Sequence, residues 1–443
     1  MSTSESTFGA VLDRQVSSDE QRETKRVVLA ASAGSLIEWF EFSVYGYLAG
    51  VMGAVFFASS SPSMQVIASL ATFAIAFLAR PFGGIVCGAL GDRYGRKVVL
   101  NLTLFVMAGA TFAIGLIPSY ETIGVAAPLL LILMRLLQGL SAGGELSAAA
   151  IYVAEHCSDR RRSFMTSWVE VGCISGFFLG AIISFSLYQF FDDQQLHDWA
   201  WRIPFFLAAP MALIGLYIRR KLEESPLFTE ARNDGRVGKL SLVGQLRALK
   251  GYSREMFQAA GMVIVSNVTL FTVLTYIPTY LKSTLKLSGS ESLALSIAPM
   301  LVLIVLIPIL GLLADRVGRK RMMVLACVSV IVLAIPCFMA IGRGGLPVQL
   351  GALILLNACL AMLLACILAQ VPSLFPLKIR FMAMAFSYNI SVALFAGTAP
   401  VINAWLVEVT GNPLIPAYYL MAGGMLGLLG LWRCVDRTGK PMP

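Results

Sequence analysis

In the stretch GSLIEWFEFSVYGYLAG, residues 34–50, two carboxylates interrupt a run that is otherwise apolar, aromatic or small. Glu38 and Glu41 are three positions apart, so a helix places them on one face, with Tyr45 one turn further on. Carboxylates grouped in this way either lock into ion pairs or hold and release a proton. Arg80, Arg135, Glu145, Glu155 and Glu170 also stand in or at the ends of apolar runs. All seven groups belong to the first half of the chain. Proton coupling is therefore expected there, through Glu38, Glu41 and Glu145. The second half offers neutral donors and acceptors, Asn267, Thr275, Tyr276, Tyr388 and Asn389, any of which can equally be a packing group.

The elements that carry these residues follow from composition. Of 443 residues, 57% are hydrophobic and only 13% are charged, against about 25% charged in a soluble domain. About 20 apolar residues cross the hydrocarbon core as a helix, and apolar runs of that kind recur along the chain. Twelve are expected, the first at 27–57 and the last at 413–432, giving an all-α polytopic membrane protein. In that setting Glu38 and Glu41 must face the bundle interior, because a charge at mid-bilayer costs at least about 2.5–3.5 kcal/mol. Either Arg80 and Arg135 neutralise them, or one is carried as the neutral acid, which burial favours.

The net charge of +9 does not require a nucleic-acid partner. Most of the 34 Lys and Arg residues fall in alternate inter-helix segments and at the chain ends, and only Arg80 and Arg135 lie inside spans. By the positive-inside rule both termini are expected in the cytoplasm. The first 26 residues are polar, with no apolar segment behind a basic start, so no cleaved signal peptide is expected. Eight cysteines show no CxxC pair, most lie in apolar runs, and buried thiols are the expected state. With two histidines in all, no HExxH spacing and no nucleophile elbow, neither an enzyme nor a metal or other cofactor is expected.

The polar stretch 220–255 follows six spans and reads as a linker between two six-helix halves. The expected division is an amino-terminal tail at 1–26, a first half at 27–219, the linker, a second half at 256–433 and a tail at 434–443. A repeat supports it. GALGDRYGRK at 88–97 and GLLADRVGRK at 311–320 each follow the second span of a half. Glycine permits a tight reversal, and the Arg residues can pair with the Asp or with helix C-terminal carbonyls. Conformational gating is expected from Gly88, Asp92, Arg93, Gly95 and Arg96 and from their counterparts Asp315, Arg316, Gly318 and Arg319. Asp92 is expected to hold one side closed, with a milder role for Asp315.

These loops resemble the signature of the major facilitator superfamily, and RLLQGLSAGGE at 135–145 resembles its fourth-helix motif. EWFEFSVYG in the first span, RPFGG at 80–84, and WRIPFFLAAP followed by RRKLEESPLF around the sixth are similar to its metabolite:proton symporter branch. The resemblance implies proton-driven uptake of a small polar metabolite across a bacterial inner membrane by alternating access. Drug exporters of the superfamily carry a Gly-Pro pair where this chain has Gly176 and Phe177, which argues against export. Gly172, Gly176 and Gly180 form a small-residue stripe suited to close helix contact.

For the substrate, the expected lining is Arg80, Arg135, Trp39, Tyr45, Asn267, Tyr276 and Asn389. A cavity with both signs suits a zwitterion such as proline or betaine. Arginine can fork onto the carboxylate, and the faces of Trp39, Phe42 or Tyr45 can hold a methylated ammonium. A small carboxylate such as citrate, 2-oxoglutarate or shikimate remains the alternative within the branch. A passive facilitator is the alternative of another class.

Overall fold

The computed structural model describes residues 18–94, 96–220, 249–376 and 379–443. Every regular element among them is helical. Among the described residues ten helices are long and apolar enough to cross a membrane, and the shorter apolar helices at 101–116 and 415–431 complete the twelve. We label the spans α1 (Ser18–Tyr47, continued by Ala49–Phe56), α2 (Pro62–Tyr94), α3 (Arg96–Leu116) and α4 (Ala126–Ala142, then Glu145–His156). Next come α5 (Arg162–Phe190), α6 (Ile203–Arg220), α7 (Ser253–Leu270, Phe271–Tyr276 and Ile277–Ser283) and α8 (Gly289–Val317). The last four are α9 (Arg319–Arg343), α10 (Leu346–Gln370), α11 (Arg380–Ser391, Val392–Ala396 and Ala399–Thr410) and α12 (Ile415–Leu431).

The departures from regular helix have local causes. α4 breaks at the Gly143–Gly144 pair, and Glu145 opens its second segment, where an acidic side chain complements the exposed N–H groups. α7 and α11 each contain a π-helical stretch, Phe271–Tyr276 and Val392–Ala396. Each precedes a proline, Pro278 and Pro400, which has no N–H to give the carbonyl four residues back, and the wider turn re-routes the ladder. Gly318, with φ of 110°, separates α8 from α9, so the reversal expected of the second loop motif is present. In the first copy the helix runs on to Tyr94, into the motif at 88–97. Gly95 lies outside the described residues, as does most of the expected linker, 221–248.

Packing divides the spans by burial. α7 is 94% buried over its apolar window and α9 only 39%, so α7 is a core helix and α9 a lipid-facing one. Within the first half α5 packs along α1, and across the halves α5 meets α8 while α2 meets α11. The glycine stripe explains the first contact. A Cβ at Gly172 would lie 2.3 Å from Ser32 O, one at Gly176 2.4 Å from Leu36 O, and one at Gly180 2.1 Å from Ser43 Oγ. Gly83 of RPFGG likewise lies against Leu140 of α4, with a hypothetical Cβ 2.0 Å from its carbonyl oxygen. Gly176→Leu is expected to cost at least about 1–3 kcal/mol through overpacking and to remove most monodisperse protein from a detergent extract. Normal yield and uptake in that variant would show that α1 and α5 do not need this approach.

Candidate transport site

Glu38, Trp39, Glu41 and Tyr45 lie buried on α1, facing Arg80 from α2 and Arg135 from α4. Arg80 Nη2 is 3.2 Å from Glu38 Oε1 and donates also to Ala142 O at 3.1 Å, beside the break in α4. Here the expected neutralisation of a glutamate by an arginine holds.

Arg135 departs from that expectation. Its Nη1 donates to Gln138 Oε1 at 2.9 Å and its Nη2 to Phe73 O at 3.4 Å, and no carboxylate pairs with it among the described residues. The Gln138 side chain, one turn on along α4, takes the place at the guanidinium that a glutamate was expected to fill. Glu41 instead accepts a hydrogen bond from Thr111 of α3, and Gln138 Nε2 donates to the same Thr111 oxygen at 2.6 Å. Glu41 and Arg135 are thus linked through two neutral side chains. Glu41 Oε1 and Arg135 Nε have no hydrogen-bond partner among the described residues.

The aromatic faces are also engaged. The Arg135 guanidinium lies 4.3 Å from the Tyr45 ring centroid, 5.2 Å from Phe73 and 5.4 Å from Phe42. Arg80 lies 5.8 Å from Trp39 and from Phe42, and 5.6 Å from Phe77. Phe271, at the start of the π-helical stretch of α7, packs on Trp39, Phe73 and Phe77 and completes an aromatic layer between the halves. These rings therefore offer their faces to the two arginines in this conformation, where the sequence suggested a substrate ammonium. Tyr45 is fixed by its hydroxyl, which donates to Ser69 O at 3.2 Å.

The other expected residues fall in three places. Asn267 of α7 accepts from the Tyr388 hydroxyl of α11 at 3.2 Å. Asn389 donates to Gly143 O at the α4 break, tying α11 to the first half. Tyr276 lines a cavity of about 640 Å³ that opens on one face, together with Tyr47, Tyr188, Lys282, Ser292 and Glu408. Glu145, buried at the start of the second α4 segment, lies within electrostatic reach of Glu41.

The opposite face is closed, and both described chain ends are there. Asp315, from the second half, accepts the backbone N–H groups of Ser163 and Phe164 at 3.0 Å each, capping the first turn of α5 in the first half. Arg319 pairs with Asp315 at 3.2 Å and donates through Nε to Ser163 Oγ at 2.7 Å. Arg380 pairs with Glu155 across the halves at 2.8 Å. Glu155 is thus paired with the second half, while nearby Arg162 pairs with Asp159. Arg316 is exposed beside Arg160, Lys320 and Arg321. The side chains of Gly88, Asp92, Arg93, Gly95 and Arg96 lie outside the described residues. One face open to a cavity and the other sealed between two halves is the geometry of an alternating-access transporter caught on one side.

The chain matches the family model of the Major Facilitator Superfamily over residues 31–389 and 298–441. It belongs to the major facilitator superfamily. Within that superfamily it is 41% identical over 440 residues to the "Proline/betaine transporter" of Escherichia coli (strain K12), covering 97% of this chain and 87% of that one. It is 42% identical over 424 residues to the "Glycine betaine/proline/ectoine/pipecolic acid transporter OusA" of Dickeya dadantii (strain 3937), covering 94% and 84%. Among solved structures, the proton:xylose symporter XylE bound to 6-bromo-6-deoxy-D-glucose superposes with a TM-score of 0.77 at 18% identity, covering 96% and 98%. The partially occluded inward-open XylE of E. coli gives 0.71 at 18% identity, covering 94% and 99%. The superfamily fold accounts for the twelve spans.

Sequence reasoning missed Thr111, Gln138, Phe73, Phe77, Phe271 and Arg380. Gln138 carried a signal, a polar residue three positions from a buried arginine. A lone threonine in an apolar span carries none, because its hydroxyl can always bond the preceding turn.

Proposed function

We propose that this chain is a proton-coupled symporter that imports a zwitterionic osmolyte such as proline or betaine by alternating access. The observation that carries the reading is Arg135. It is a fully buried cation with no carboxylate partner among the described residues, in a layer whose other cation, Arg80, is already paired. One available guanidinium matches one substrate carboxylate. A di- or tricarboxylate would require at least a second. The names of the 41–42% identical relatives support the same substrate class.

On this reading the closed face, with its excess of Lys and Arg, is cytoplasmic and the cavity at Tyr47, Tyr276 and Lys282 opens to the outside of a bacterial inner membrane. The carriers of the proton belong to the set Glu38, Glu41 and Glu145. Proteoliposomes loaded with purified protein should accumulate labelled proline or betaine under an inward proton gradient, and an uncoupler should abolish accumulation. Arg135→Ala should raise KM by about tenfold or more, the loss of a charge-assisted contact. Transport of a dicarboxylate with no competition by proline or betaine would overturn the substrate class. Uptake unaffected by the uncoupler would overturn the coupling.

A further inference from the structure

Thr111 makes three contacts with one hydroxyl. Its Oγ1 lies within hydrogen-bond distance of Glu41 Oε2, of Gln138 Nε2 at 2.6 Å and of Met107 O at 2.9 Å. A hydroxyl has one proton to give and two lone pairs to receive with. The Gln138 amide can point only one way. Arg135 only donates, so the Gln138 oxygen faces it and the NH₂ group must donate to Thr111. Gln138 therefore fills one lone pair of Thr111 in every state.

What remains depends on Glu41. When Glu41 is a carboxylate, it and Met107 O are both acceptors and compete for the single Thr111 proton. When Glu41 carries a proton, its O–H donates to the second lone pair of Thr111, the Thr111 O–H goes to Met107 O, and all three contacts are satisfied at once. In the charged state the hydroxyl turns to Glu41. The chain then runs in one direction, Arg135 N–H to Gln138 oxygen, Gln138 N–H to Thr111 oxygen, Thr111 O–H to Glu41 oxygen. Such a chain between a cation and an anion strengthens itself by polarisation. In the protonated state the direction reverses at Thr111 and no anion stands at the far end.

We propose that Thr111 and Gln138 are positioning residues that pass the protonation state of Glu41 to Arg135, so that the guanidinium is released to the substrate carboxylate when Glu41 holds a proton. This rests on the proton-symport reading above and adds the means by which the two sites communicate without touching. Glu38 on its own helix and Glu145 from α4 lie within electrostatic reach of Glu41; the other buried ionisable groups in this part of the bundle include Tyr45 on α1, Arg80 on α2, Arg135 on α4, and Glu170 with Cys173 on α5. Between Asn101 and Leu116, α3 has no ionisable side chain, so its contribution is the Thr111 hydroxyl. Glu38 is already held by Arg80, and among the described residues the hydrogen-bonded link between Glu41 and a cation is the indirect route through Thr111 and Gln138.

The test is the pH dependence of KM for labelled proline in proteoliposomes containing wild type, Thr111→Val, Thr111→Ser and Gln138→Leu. A donor to a carboxylate is about twice as strong as a neutral contact, so losing it disfavours the charged state of the relay more than the neutral one. Thr111→Val also removes the middle of the relay, so its KM should lose the rise at high pH, a difference of about three- to tenfold, and Thr111→Ser should restore it. Gln138→Leu cuts the link to Arg135 and leaves the Thr111–Glu41 contact in place. Its KM should lose the rise at high pH, a difference of about three- to tenfold. Wild-type profiles in Thr111→Val and Gln138→Leu, or a Thr111→Ser variant that behaves like Thr111→Val, would overturn the relay. If Thr111→Val does not insert, the Gln138→Leu profile decides alone. Wild-type uptake that is not proton-driven would instead remove the symport reading, and the relay with it.

Discussion

Glu41→Gln should abolish uphill accumulation of substrate while leaving exchange of internal for external substrate largely intact. One coupled proton moving down a one-unit pH gradient supports about a tenfold accumulation ratio, and this should fall to one. Exchange needs no cycle of protonation, so a permanently neutral amide is tolerated there. Glu38→Gln is expected to behave differently, because Arg80 is its direct partner at 3.2 Å in a fully buried site. Removing one member of such a pair leaves an uncompensated charge and costs about 3–5 kcal/mol. Low yield of folded Glu38→Gln, beside well-folded and uncoupled Glu41→Gln, is the expected pattern. Retained accumulation in both variants would take α1 out of the coupling mechanism.

The second large effect concerns the closed face. Asp315 holds two backbone N–H groups of α5 and the Arg319 guanidinium at the junction of the halves. Asp315→Asn removes the charge and replaces one acceptor oxygen by a donor. A loss of about 2 kcal/mol shifts the balance between closed and open by about thirtyfold. We expect slowed turnover with KM little changed, and greater reactivity of probes placed on that face. Arg380→Ala should act in the same direction by freeing Glu155. Asp92→Asn, in the first copy of the motif, is expected to bias alternation more strongly still. Normal turnover with a loss of affinity common to Asp92→Asn and Asp315→Asn would contradict a gating role.

Much of this architecture was legible in the sequence because its physics is one-dimensional. A span must be apolar for about 20 residues whatever surrounds it, so twelve runs gave twelve helices. The repeated motif fixed its reversal because Gly318 alone can hold φ at 110° there without strain. The glycine stripe on α5 announced a close approach, since only backbone without Cβ comes so near. Burial of Glu38, Glu41, Arg80 and Arg135 was legible too, because lipid leaves a charge no other place.

Which of those charges meet was decided in three dimensions. Hydrogen-bond partners depend on the rotation and offset of helices far apart in sequence. A rotation of one residue on α4 exchanges Arg135 for its neighbours, and nothing local in the chain sets that angle. Tertiary packing paired Arg80 with Glu38 and placed Gln138 and Thr111 between Arg135 and Glu41. It turned the rings of Trp39, Phe42 and Tyr45 onto the guanidinium groups, and brought Arg380 to Glu155 across 225 residues. The sequence by itself determined the kinds of group that had to be inside. The fit of one helix against another determined which of them touch, because ion pairs and hydrogen bonds act over a few ångströms while hydrophobic burial selects only a face.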